Sequence, residues 1–130
     1  MQTAHRSFGD VVVLTATGRI DYLVAADFER ALLPLLAPFA GSQRSLILDL
    51  ADVEYISSVG LRVLMIATKT LRGGGARLGV ASLQPAVREI FAVSRFDRVV
   101  EIFPSVEAAL AAFSPAAASE YARGSQARSS

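Results

Sequence analysis

Two adjacent hydroxyls, Ser57 and Ser58, stand between the apolar run Leu46-Ile47-Leu48-Asp49-Leu50 and the stretch Val59-Gly60-Leu61-Arg62-Val63-Leu64. A hydroxyl where a helix begins can accept a hydrogen bond from a first-turn amide, which has no partner inside the helix. The same amides and the positive end of the helix dipole would stabilise a phosphate carried by either serine. The segment thus supports two readings, a plain N-cap and a phosphate acceptor. Asp21, Asp49 and Asp52 raise a third, an acidic metal or phosphoacceptor pocket. The pattern argues against it, because Asp49 lies within an apolar strand and the single lysine, Lys69, falls mid-helix rather than on a late strand. Gly73-Gly74-Gly75 lacks the Lys-Ser/Thr ending of a phosphate loop and follows a helix instead of opening one, so it reads as a C-cap turn.

Composition narrows the chemistry further. Cysteine is absent and His5 is the only histidine, which argues against disulfides, thiolate nucleophiles, His-based metal clusters and a Ser-His-Asp triad. With 130 residues, 52% of them hydrophobic, the chain can bury one core without metals or cross-links. Thirteen basic against twelve acidic residues leave a net charge of +1, too weak a field for a nucleic-acid binder. The start, Met1–Phe8, has no apolar signal region, and Ala31–Ala37 is too short to cross a bilayer. The expectation is a cytoplasmic protein without direct membrane insertion and without a cofactor.

The elements that must position the serines follow from periodicity. Val11–Thr17 is a β-branched strand, and Gln2–Phe8 pairs with it as an edge strand through Gly9-Asp10. Phe28, Leu32, Leu35 and Leu36 fall at helical spacing within Val24–Ala37, with Pro34 expected to kink or shorten that helix. A loop at Gly41–Arg44 leads to a buried strand, Ser45–Leu50, and a second loop ends at Ser57-Ser58. A second helix spans Val59–Arg72. Leu78–Ala81 is a strand, Pro85–Ser94 a helix, Val99–Phe103 a strand, and Ser105 caps a helix that ends at Phe113. Residues 1–113 form the expected domain. Residues 114–130, rich in Ala, Ser and Arg, read as a mobile tail. Strand–helix alternation after an initial hairpin predicts an α/β fold, a mixed sheet of about five strands packed with about four helices.

On the second helix, Gly60, Leu61, Leu64, Ala67, Thr68 and Leu71 share a core face at 100° per residue. The opposite face gathers Arg62, Met65, Ile66, Lys69 and Arg72. Apolar side chains set among cations next to a serine suit a docking surface, although a solvated face would look the same.

Four landmarks in order carry a resemblance. Gly18-Arg19-Ile20-Asp21, the stretch from Leu48-Asp49-Leu50 through Tyr55-Ile56-Ser57-Ser58-Val59-Gly60-Leu61, Ser82-Leu83-Gln84-Pro85, and Phe103-Pro104-Ser105-Val106-Glu107 together resemble STAS domains, the fold of anti-sigma-factor antagonists. The resemblance covers roughly Phe8 to Phe113. It implies a non-enzymatic interaction protein that binds an anti-sigma serine kinase, is phosphorylated by it at Ser58, and is restored by a PP2C-type phosphatase. The family's Asp-Ser-Ser-Gly-Leu pattern departs here, with Ser57 in place of Asp and Val59 in place of the second Ser. Ser57 is therefore a secondary acceptor candidate. Asp21, Ser57, Arg62, Met65, Ile66, Lys69 and Arg72 are the implied partner surface. The competing expectations are a regulatory STAS subunit of a lipid or solute transporter, and a small nucleotide-binding domain.

Overall fold

Strand β1 (Gln2–Phe8) turns at Gly9-Asp10 into β2 (Val11–Ile20), and the two pair antiparallel with Phe8 opposite Val11 and Gln2 opposite Thr17. Gly9 holds the left-handed φ of +59° that this two-residue turn demands. The structure, a computed structural model, describes residues 2–36, 44–73 and 75–129, with side chains through residue 124. The other elements are α1 (Ala25–Leu36), β3 (Ser45–Ile56), α2 (Ser58–Gly73), β4 (Leu78–Ala81), α3 (Pro85–Val93), a 3-10 turn (Phe96–Arg98), β5 (Glu101–Phe103), α4 (Val106–Phe113) and α5 (Pro115–Ser129). The expected loop residues 41–43, the helix end at Ala37 and Gly74 lie outside the described residues. Around Gly74, the amide of Gly75 donates to the Arg72 carbonyl and that of Ala76 to the Leu71 carbonyl, closing α2 as a C-cap turn.

The sheet runs in the order β1-β2-β3-β4-β5, with β2 to β5 parallel. Strands that step in one direction through crossovers of one hand place every crossover helix on the same face. Helices α1, α2 and α3 therefore share a face, where Phe28, Leu32, Leu64, Leu71 and Phe91 pack on Leu14, Leu46, Leu48 and Val80. Period-two alternation sends Val11, Val13 and Ile47 to the other face, under Val106, Ala109 and Leu110 of α4 and Ala117 of α5.

That second face corrects the expected tail. Residues 115–129 are helical, Ala117 is buried, and Tyr121 meets the Phe8 ring edge-to-face at 5.2 Å between centroids. Against the expected four or so helices, the described residues form five. The helical stripe of α5 is made of Ala117, Ala118, Tyr121 and Gly124, so its period is present but its apolar mass is small. The expected loop before Ser57-Ser58 is also absent, because β3 continues to Ile56 beside β2. There Asp52 sits on the strand, opposite Thr17. Beyond the short β4, the Gln84 side-chain amide donates to the Ala51 carbonyl at 2.8 Å, satisfying backbone that no strand reaches. Strand β5 is shorter than expected, because Val99 and Val100 hydrogen-bond back to Phe96 at the end of the 3-10 turn.

Candidate functional site at the start of helix α2

The parallel pairing of β2 and β3 ends with Ile20 opposite Ile56, and the Ser57 amide donates to the Ile20 carbonyl at 2.8 Å. This bond fixes where α2 leaves the sheet. The Ser57 hydroxyl accepts from the Gly60 amide at 3.2 Å, and its carbonyl accepts from the Leu61 amide at 2.9 Å. Ser57 is the N-cap, and it is only 7% exposed. Ser58, one residue later, is the first residue of α2 and is exposed. The two serines therefore take different parts, one committed to the backbone and one turned to solvent.

Helix geometry then arranges the predicted surface. At 100° per residue, Arg62, Met65, Lys69 and Arg72 all lie within about 40° of Ser58, forming one stripe. Arg62 stands at i+4, within side-chain reach of whatever Ser58 carries. Lys69 and Arg72 are roughly 16 and 21 Å further along the axis, at 1.5 Å per residue, and do not join the immediate site. Arg62, Ile66, Lys69 and Arg72 are exposed, whereas Met65 is half-buried against the core and is not a free surface residue. The Arg72 guanidinium donates to the Val99 carbonyl at 2.9 Å, which ties α2 to the turn before β5. Asp21 accepts from the Val24 amide at 3.0 Å, capping the turn into α1. Asp49 lies seven residues back along β3 from Ile56, roughly 23 Å from the end where Asp21 sits, so no pocket unites Asp21 with Asp49.

Sequence reasoning missed the apolar surroundings of Ser58. Between α2 and α3 opens a groove of about 660 Å³, lined by Tyr55, Ser58 and Leu61 on one side and Glu89, Ile90 and Val93 on the other. Val93 is 79% exposed, and so are Tyr22 and Leu23 at 74% and 81%, in the turn that Asp21 caps. The signal was available in α3: Val87 and Phe91 define its core stripe, Ile90 sits at the edge of that stripe, and Val93 falls off it. The Arg19 guanidinium lies 4.8 Å from the centre of the Tyr55 ring, adding a cation at the rim. The site thus sets an exposed serine at a helix start, with Arg62 at i+4, beside an apolar groove whose rim carries Arg19, an arrangement chemically suited to protein contact and to an added phosphate.

The fold coincides with that of a known family. The family described as STAS domain matches residues 3–109. BtrV of Bordetella bronchiseptica, whose name assigns it provisionally as an anti-sigma factor antagonist, is 39% identical over 92 residues, covering 71% of this chain and 79% of BtrV. The anti-sigma-F factor antagonist RsfB of Mycobacterium tuberculosis is 31% identical over 100 residues, covering 77% of this chain and 79% of RsfB. A crystal structure of an anti-sigma factor antagonist from Mycobacterium paratuberculosis superposes with a TM-score of 0.77 at 28% identity, covering 86% of this chain and 92% of that one. The chain belongs to the STAS domain, anti-sigma-factor-antagonist family. Among the described residues, no helix is long and apolar enough to cross a membrane.

Proposed function

We propose that this chain is a phosphorylation-switched antagonist of an anti-sigma factor and works in the cytoplasm without catalysing a reaction itself. In its unmodified form the Ser58 end of α2 docks an anti-sigma factor that is also a serine kinase. Transfer of phosphate to Ser58 ends the docking, and a PP2C-type phosphatase restores it. The observation that carries the reading is the division of labour at the helix start. Ser57 is buried and spends its hydroxyl on the Gly60 amide, while Ser58 is exposed on the rim of an apolar groove. Relatives named as antagonists support the partner class. A phosphate on Ser58 adds about −1.5 to −2 charges beside Arg62, which can pair with it at i+4 and so leave the partner. Asp21 contributes by shaping the turn that presents Tyr22 and Leu23, and Arg62, Ile66 and Lys69 continue the docking stripe.

The test is mass spectrometry of the chain after incubation with the cognate kinase and ATP. Ser58→Ala should abolish modification and retain kinase binding, whereas Ser57→Ala should still be modified despite losing about 1 kcal/mol of capping stability. Arg62→Glu should weaken kinase binding by 1 kcal/mol or more, on the order expected of an interface residue, with an unchanged melting temperature. Modification of Ser58→Ala at the parental level would overturn the assignment.

A further inference from the structure

We infer that the chain carries a second binding site on the sheet face opposite Ser58, a cavity between β1–β3 and helices α4 and α5 that takes a small zwitterion, its ammonium at Asp49 and its anionic end at Arg6. The cavity holds about 260 Å³, with Arg6, Thr15 and Asp49 as its polar lining and Phe8, Val106 and Tyr121 as its walls. At about 30 Å³ per water, that is space for roughly eight or nine waters, enough for a molecule the size of a small amino acid.

The sheet register explains how the charges come to face each other. Ala4, Thr15 and Asp49 lie side by side across β1, β2 and β3, and Arg6, Val13 and Ile47 form the neighbouring row. Two strand spacings and one side-chain repeat separate the Arg6 and Asp49 backbones by roughly 12 Å. The two side chains thus enter one recess from opposite corners. Neither is neutralised: among the described residues Arg6 and Asp49 form no ion pair with each other or with any other group. Among the described residues Asp49 accepts from the Ala51 amide alone, at 3.1 Å, and the Arg6 guanidinium packs 5.1 Å from the centre of the Phe8 ring. Burial holds the Asp49 carboxyl above the ordinary carboxylate range, opposed by the Ala51 amide and reinforced by the charges of Asp52 and Glu107. A half-buried carboxylate with two more carboxylates near it favours a cation, and the guanidinium at the other corner favours an anion. A molecule carrying both in that order satisfies the cavity. A simple metal ion would leave Arg6 unanswered.

The experiment is an NMR titration of the ¹⁵N-labelled full chain with γ-aminobutyrate at millimolar concentrations, alongside butylamine and butyrate, which each keep one charged end. The expected result is saturable shifts at the amides of Arg6, Thr15, Asp49 and Tyr121 with γ-aminobutyrate, and several-fold weaker binding of either single-ended probe. Asp49→Asn and Arg6→Gln should each weaken γ-aminobutyrate binding about tenfold. The probe comparison on the unmodified sequence stands even if a variant folds poorly. Absence of saturable shifts, equal binding of butylamine or butyrate, shifts confined to the α2–α3 groove, or affinity indifferent to both substitutions would each overturn the site. It shares no residue with the Ser58 surface, so failure of either reading leaves the other standing.

Discussion

Gly60 decides how closely α2 can settle onto the sheet. A methyl group there would lie 2.8 Å from Ile56 Cγ1 and 2.9 Å from Ile20 Cγ2. Both isoleucines branch next to the backbone and are buried, so neither can swing clear. Alanine gains about 1 kcal/mol of helix propensity over glycine, but overpacking a core contact costs about 1–3 kcal/mol. Gly60→Ala should therefore lose about 1 kcal/mol net and lower the melting temperature by about 3–6 °C in a thermal unfolding experiment. An unchanged or raised melting temperature would show that the isoleucines give way. The same closeness explains why the two serines were not separable by sequence. Either hydroxyl suits a cap, and only the bond from the Ser57 amide to the Ile20 carbonyl, between segments far apart in the chain, selects Ser57 for it.

At the scale of elements, α5 carries the sharpest expectation. Its Tyr121 ring stands edge-to-face on Phe8, and its Ala117 is buried against the same patch. An aromatic pair contributes about 0.5–1.5 kcal/mol beyond the area it buries, so Tyr121→Ala should cost roughly 1–2 kcal/mol. Removing Pro115–Ser130 should cost more, because Phe8 and Val11 lose their cover, and calorimetry on both variants reads the difference. A melting temperature unmoved by the deletion would mean that α5 contributes nothing to stability. The elements with strong signals were legible in sequence: the Val11–Leu14 strand, the core face of α2 and the Ser105 cap all stand where periodicity and capping chemistry put them. Helix α5 was not, because alanine and glycine fill its inner stripe and a hydropathy pattern weighs mass as well as period. The need for it was nonetheless present in β2. A strand buried on both faces requires cover on both, and the three crossover helices supply only one. The groove beside Ser58 was only half legible: the pattern of α3 leaves Val93 off its core stripe, but only the meeting of α2 and α3 across β3 sets that side chain beside Ser58.

For the molecule as a whole, Asp49 links protonation to stability. Burial first, then the charges of Asp52 and Glu107, raise its carboxyl above the usual range, against the opposing Ala51 amide. The folded state thus holds the Asp49 proton more tightly than the unfolded chain does. Its favourable contribution is complete below the unfolded value near 3.9 and is lost as pH rises through the higher folded value. At neutral pH the carboxylate is a burden, which Asp49→Asn removes while keeping an acceptor for the Ala51 amide. The variant should melt above the parent at pH 7, with the gap closing below about pH 4. A gap of the opposite sign would mean that the negative charge is itself stabilising. The contact between Phe8 and Tyr121 has another consequence, one of timing. Ribosomes add about 5–20 residues per second, so Phe8, Val11 and Val13 leave the exit tunnel roughly 5–20 seconds before α4 and α5, the helices that cover them. Through that interval the first hairpin is a ribbon with one greasy side, open to chaperones and to other nascent chains. That exposure lasts until α4 and α5 arrive.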